Sequence, residues 1–228
     1  PVITTKQAEE YYQKIVKLIP EEDNFTPLMT LFLTEESNIN DIEQGVKKGI
    51  INAVKLYPAG VTTNSMNGVR DLSKIYKLLE KLSTLGIPLL IHGETTDPEI
   101  DIFDREAFFV EKTLIPLRKM IPDLKIVLEH ITTKESVDFV LNSESNLAAT
   151  ITPHHLIINR NYMFSEGIRP HYYCLPLAKR ELHRLAIRKA ATSGNHKFFL
   201  GTDSAPHFDN LKENACGCAG IFSSPNAL

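Results

Sequence analysis

The chain has 228 residues, 43% of them hydrophobic and 23% charged, with a formal charge of −3. That is ordinary soluble composition for one large domain with a sizeable core, and no basic stretch argues for nucleic acid or an anionic membrane as the main partner. No apolar run is long enough to span a bilayer. Pro1 to Lys6 lack the charged-then-apolar pattern of a signal peptide. Cys174, Cys216 and Cys218 are an odd number of cysteines, which suits a reducing compartment better than a disulfide framework. The expected location is cytoplasmic.

In chain order, Thr4 with Gln7 reads as a capping box opening a first helix, and an apolar strand follows at 25–33. Asn40 with Glu43 is a looser box opening a second helix, ahead of a strand at 53–57. Leu72, Ile75, Leu78, Leu79, Leu82 and Leu85 share a helical face; Gly86 stops that helix and Pro88 opens a strand at 88–92. Further strands lie at 125–130 and 147–152, with Thr132 and Glu135 opening the helix between them. A helix starting near Ala178 closes at Gly194, before a last strand at 198–202. Strands alternating with helices predict an α/β fold with a parallel sheet. Six strands suit an open doubly wound sheet and eight the usual barrel, and no glycine-rich phosphate loop follows any of them.

The residues at the strand ends decide between these. His92 ends Pro-Leu-Leu-Ile-His, His130 ends Lys-Ile-Val-Leu-Glu-His, and Asp203 follows Phe-Phe-Leu-Gly-Thr. Active sites of parallel α/β folds assemble at the carboxyl ends of strands. His92 follows Lys55 by 37 positions, His130 follows His92 by 38, and Asp203 follows His130 by 73. Those steps are one, one and two strand–helix units, so a curved sheet turns all four residues to one point. One histidine at a strand end is more often structural, but two imidazoles and a carboxylate converging are good zinc ligands. Lys55 stands inside the apolar run Ala53-Val54-Lys55-Leu56-Tyr57, where a buried ammonium is costly unless paired or neutralised. Alone it would read as a stem buried with its head in water. Beside two zinc-type histidines, an amine that adds carbon dioxide gives an anionic carbamate able to bridge two metal ions.

Other polar clusters carry less. His154 and His155 look like a metal motif, but neighbours on a strand point to opposite faces, so they read as structural. His183 on a helix and His196 beside a turn read as surface residues. Cys216 and Cys218 lack the second pair of a structural zinc site.

Long phrases in order then bring a resemblance: Lys55-Leu56-Tyr57-Pro58-Ala59, Ile91-His92-Gly93-Glu94, Asp101-Ile102-Phe103-Asp104-Arg105-Glu106, and Glu129-His130-Ile131-Thr132-Thr133. Ile151-Thr152-Pro153-His154-His155-Leu156, Arg169-Pro170-His171 and Tyr173-Cys174-Leu175-Pro176 continue it. Gly201-Thr202-Asp203-Ser204-Ala205-Pro206-His207 and Cys216-Gly217-Cys218-Ala219-Gly220 complete it. From Pro1 to Leu228 the chain resembles the dihydroorotases of the shorter bacterial type, in the amidohydrolase superfamily. The resemblance implies a TIM-type (β/α)8 metallo-dependent hydrolase barrel, of which this chain holds strands three to eight as a single domain incomplete at both ends. It implies two zinc ions bridged by carboxylated Lys55, with His92 and His130 on the second ion and Asp203 on the first, acting also as general base. Thr62 and Thr63, in a loop closing over substrate, would contact the substrate together with Leu175, His207 and Ala219. Without the family, that loop reads as a flexible surface segment.

The family's first strand carries a His-x-His pair and a substrate-binding arginine, and its second an asparagine. Pro1-Val2-Ile3-Thr4-Thr5 matches the chain just after that asparagine, so a fragment of a longer protein is expected. The implied reaction is the reversible hydrolysis of L-dihydroorotate to N-carbamoyl-L-aspartate in pyrimidine synthesis. A hydantoinase- or allantoinase-like enzyme and a non-catalytic scaffold subunit are the competing readings. The expected partner is a small-molecule substrate, not nucleic acid or membrane, and a homodimer is left open.

Overall fold

Six parallel strands make one sheet in the computed structural model, which describes residues 1–227. They are β1 (Met29–Phe32), β2 (Ile51–Leu56), β3 (Leu89–His92), β4 (Ile126–Glu129), β5 (Leu147–Ile151) and β6 (Phe198–Leu200). Their order in the sheet is their order in the chain, and every neighbouring pair is parallel. A doubly wound sheet reverses direction at a switch point. This sheet never reverses, so each crossover steps the same way, as in an arc of a barrel. The family-based expectation of six barrel strands holds, with each strand trimmed by one to four residues at an end or, for β2, shifted toward its start.

Register explains the two faces of the sheet. Leu31, Val54, Leu56, Leu89, Ile91, Ile126, Leu128, Leu147, Ala149 and Ile151 form one face, and none is more than 3% exposed. They pack in one core with helical residues such as Leu79, Leu82, Leu114, Val140 and Ile187. Each buried Leu or Ile contributes about 1.5–3 kcal/mol relative to an exposed one, so this face holds the sheet to its helices. The other face carries Phe32, Lys55, Leu90, His92, Val127, Glu129 and Thr150, with pairings Phe32–Lys55, Lys55–Leu90 and His92–Glu129 fixing the rungs. Polar residues gather at the carboxyl ends of this inner face.

The helices follow local chemistry, with instructive shifts. Helix α1 (Thr5–Val16) has the expected Thr4–Gln7 capping box. Helix α2 (Ile39–Lys47) is capped by Asn38, not Asn40: its side chain accepts from the Asn40 and Asp41 amides. Before α3 (Tyr76–Leu85) comes a 3-10 turn (Leu72–Ile75), and Gly86 closes the helix at φ 68°. Helix α4 (Arg105–Phe109) runs through a π-helical stretch (Val110–Leu114) into α5 (Ile115–Met120). Helix α6 (Lys134–Asn142) is capped by Thr133 rather than Thr132. Thr152 caps a one-turn helix α7 (Pro153–Ile157), so His154 and His155 are helical, not on a strand. The helix expected from Ala178 is α8 (Glu181–Ala191), and α9 (Asp209–Lys212) is a short turn near the end.

Candidate metal and substrate site

Lys55 sits 7% exposed on the inner face, and its ammonium is ion-paired with the Glu129 carboxylate and 4.7 Å from the Tyr57 ring centroid. The cost of burying the cation is met by pairing, through a residue that sequence reasoning gave no role. Its only sequence signal is position: Glu129 immediately precedes His130, on the rung of His92.

The two histidines are set up in different ways. His92 Nε2 lies 2.8 Å from Glu94 Oε2, with both side chains 1% exposed. That contact fixes the ring and leaves Nδ1 for a metal, the usual outer support of a ligating imidazole. Burial opposes the charge of Glu94, but the His92 hydrogen bond, with the charges of Lys179, His92 and Arg105, holds it below the ordinary carboxylate range. His130 donates its backbone N–H to Thr150 Oγ1 at 2.6 Å. Its Nδ1 is buried without a hydrogen-bond partner among the described residues, and its ring centroid is 4.7 Å from that of His92. Burial first, then Lys55, His92 and His155, push His130 far below the usual imidazole range. A deprotonated ring with an unpaired buried nitrogen is what a metal ion requires.

His130 and Asp203 both adopt left-handed backbone, at φ 44° and 42°. Non-glycine residues seldom do so, and such strain gathers at functional sites. The approach to Asp203 depends on Gly201, where a Cβ would come within 2.7 Å of the Thr150 Cβ. Asp203 meets solvent through the mouth of the cleft, yet the protein crowded around it raises its pKa, with Lys55 opposing and Glu129 adding to the rise. The Tyr57 phenol is pushed up to about 12, by burial and then by Glu129 and Asp203.

Above these groups lies a cavity of about 210 Å³. His92, His130 and Asp203 form one part of its wall, Thr62, Thr63 and Asn64 another, and Leu175, His207, Ala219 and Gly220 a third. Every expected ligand or substrate contact except Lys55 therefore lines it, and Lys55 is linked to it through Tyr57. The Thr62 segment is tied at its foot. Ala59 N–H donates to the Val69 carbonyl at 3.0 Å and Val69 N–H to the Tyr57 carbonyl at 2.8 Å, and Ser65 Oγ donates to the Thr62 carbonyl at 2.6 Å. Glu35 accepts from the Arg70 and Asp71 amides and from Lys74. On the far wall His207 Nε2 lies 3.2 Å from the Ala219 carbonyl. Gly220, at φ 149°, is required there, because a Cβ would stand 2.6 Å from Ala205 and 3.0 Å from His207.

Two supports were invisible in the sequence. The Glu106 carboxylate accepts from the backbone N–H groups of Thr132 and Thr133 and from the hydroxyls of Thr132, Thr133 and Ser136. This clamps the turn immediately after His130. Lys212 Nζ donates to the carbonyls of Tyr173, Cys218 and Gly220 at 2.9, 2.8 and 2.7 Å. It joins the segment of Leu175 to that of Ala219. His183, expected at the surface, is half-buried and accepts from the Lys134 amide through Nδ1 at 3.0 Å. His196 is exposed, as expected.

With this geometry in place, the profile of the Amidohydrolase family matches residues 16–224. The chain belongs to the amidohydrolase family. Within it, the chain is 60% identical over all 228 residues to a dihydroorotase of Chelativorans sp. (strain BNC1), spanning 66% of that relative's length. The crystal structure of a dihydroorotase from Campylobacter jejuni superposes with a TM-score of 0.89 at 40% identity, matching 100% of this chain and 64% of that one. Dihydroorotase from Saccharomyces cerevisiae, in complex with 5-fluoroorotic acid, gives 0.89 at 34% identity, over 100% and 65% of the two chains. The chain thus spans just under two thirds of these relatives. Among the described residues no helix is long and apolar enough to cross a membrane.

Proposed function

We propose that the protein is a zinc-dependent dihydroorotase, which opens and closes the cyclic amide between L-dihydroorotate and N-carbamoyl-L-aspartate. The observation that carries this reading is the convergence of His92, His130, Asp203, Thr62, Thr63, Leu175, His207 and Ala219 on one cavity. The 60% identity to a dihydroorotase supports the choice of substrate. The activity belongs to the whole protein, for which this chain supplies six strands of the barrel.

The donor set fits metal: two buried imidazoles, of which His130 is deprotonated with an orphaned nitrogen, a carboxylate and an inward lysine. His92 and His130 would hold one zinc ion, Asp203 another, and Lys55 would bridge them as a carbamate. That carbamate forms when the neutral Nζ adds to carbon dioxide and loses a proton, and the present ion pair with Glu129 is then given up. When bound, zinc supplies Lewis acidity that makes water a nucleophile near neutral pH. Asp203 takes the proton of the attacking water and delivers it to the leaving amide nitrogen. Its raised pKa suits both halves of that transfer, and the protonated form serves ring closure. The Thr62–Thr63 segment covers the reacting centre and excludes water, while His207 and the backbone near Leu175 and Ala219 hold the substrate.

The test is turnover of the full-length protein in zinc buffer with dihydroorotate, hydantoin and allantoin. Dihydroorotate should be preferred, and Asp203→Asn should lower kcat by about 10²–10⁴-fold, more than it changes KM. A preference for hydantoin would move the substrate assignment, and near-normal turnover in Asp203→Asn would remove its role as base.

A further inference from the structure

A second buried cluster, which the proposed reaction does not use, lies beside the pocket. One ring nitrogen each of His154 and His155 and the thiol of Cys174 all lie within 4.8 Å of one another. The residues are 6%, 2% and 2% exposed, and the two imidazole rings are 4.5 Å apart. Both nitrogens of His154 are shut off from solvent without a hydrogen-bond partner among the described residues. Because those atoms are already sealed, further chain packed on the outside cannot reach them. Unpaired buried polar groups are rare and costly, which points to a small ligand between these side chains.

His155 can join by shifting one proton. Its Nε2 now faces the Pro176 carbonyl at 3.0 Å, and its Nδ1 faces Thr152 Oγ1 at 2.7 Å. With the proton on Nδ1, that nitrogen donates to Thr152 and Nε2 is free to ligate. Charge selects the ion. One thiolate and two neutral imidazoles carry a single negative charge, and around Cys174 the carboxylates of Asp203 and Glu94 stand against the ammonium groups of Lys179 and Lys212, so the surroundings add little net charge. A divalent ion would leave net positive charge in this dry place, whereas a monovalent one leaves none. Sulfur with imidazole nitrogen favours a soft cation.

We propose that His154, His155 and Cys174 form a buried copper(I) site, and that filling it disturbs the adjacent pocket. Binding forms one Cu–S bond and releases the thiol proton to solvent, with no change of oxidation state. The donors draw together by about 1 Å to bond lengths near those of other d10 ions. Cys174 and its neighbour Leu175 both line the cavity, so this contraction moves one of its walls.

The assay is anaerobic titration of the zinc-loaded full-length protein with copper(I) against a chromogenic copper(I) chelator, in a Cys216→Ser/Cys218→Ser background that removes the other thiols. One copper(I) per chain should bind, with one proton released, and X-ray absorption should show one sulfur and two nitrogen neighbours. His154→Gln should weaken binding at least about tenfold while leaving the copper-free protein folded and turning over. Absence of a sulfur neighbour in the parent protein, or equal copper affinity in His154→Gln, would overturn the proposal. These readouts are independent of the substrate assignment, so the two readings fail separately.

Discussion

Replacing Glu106 tests whether a buried carboxylate, remote in sequence, holds His130 in place. The side chain is 2% exposed and gathers two amides and three hydroxyls around its two oxygens. In Glu106→Ala the Thr133 hydroxyl keeps its bond to Ser136 Oγ at 2.9 Å. The hydroxyls of Thr132 and Ser136 and the amides of Thr132 and Thr133 lose their acceptor. Four stranded donors, two of them hydroxyls that can turn to other acceptors, at about 1 kcal/mol each give roughly 4 kcal/mol of lost stability. Glu106→Gln keeps the shape but points an NH₂ at donors. Thr132 N–H can turn wholly to Oε1, so the loss should be smaller, about 1.5–3 kcal/mol. For a protein of this size each kcal/mol moves Tm by roughly 2–4 °C, so the two variants should melt about 10 °C and 5 °C below the parent.

Thermal unfolding followed by circular dichroism reads this directly, and zinc content of the folded variants reads its consequence at His130. Both variants should bind zinc more weakly, because the turn that fixes the left-handed His130 has slackened. A loss under 1 kcal/mol in Glu106→Ala would refute the clamp. Full stability loss with unchanged zinc affinity would show that Glu106 holds helix α6 and not the ligand.

The same residue shows where sequence reading stops. His92 and His130 were legible because each ends an apolar run, and Lys55 because a cation interrupts one. Those signals are local and survive without coordinates. Glu106 touches residues 26–30 positions away, and Glu129 meets Lys55 across 74; such partners are set by register and crossover geometry, which leave no periodic trace. The strand placement of the His154–His155 pair failed for a narrower reason. Alternation assigns neighbours on a strand to opposite faces, but β5 ends at Ile151 and Thr152 caps a helix. Consecutive helical side chains are only about 100° apart, so the rings meet. A boundary shift of one residue placed both rings on one helical turn, 4.5 Å apart.

Three further outcomes are expected. Burial of its charge is slight, but the Lys74 hydrogen bond and the Asp71 and Arg70 amides hold Glu35 at about 2 against a usual 4.5. Its depressed pKa means its hold on the loop foot is complete above pH 4.5 and is lost as pH falls toward 2. Amide exchange at Arg70 and Asp71, corrected for intrinsic rates, should quicken over that range in the parent, and at pH 7 in Glu35→Gln. Lys55→Ala should lose zinc, and added short carboxylic acids should partly restore it by standing in for the bridging carbamate; an unmodified ammonium in a zinc-loaded crystal would refute that bridge. Lys212 provides the last test, of positioning rather than chemistry. All three of its donors go to backbone carbonyls of the pocket's far wall, and none to a carboxylate. Lys212→Met retains the buried stem and leaves those carbonyls unpaired, so the segments bearing Leu175 and Ala219 should drift apart. Since they are proposed to grip the substrate and not to transfer protons, KM should rise about tenfold, equivalent to about 1.4 kcal/mol of binding, while kcat changes by less than threefold. A lower Tm with unchanged KM would reduce Lys212 to a structural tie, and a fall in kcat alone would place it on the reaction path instead.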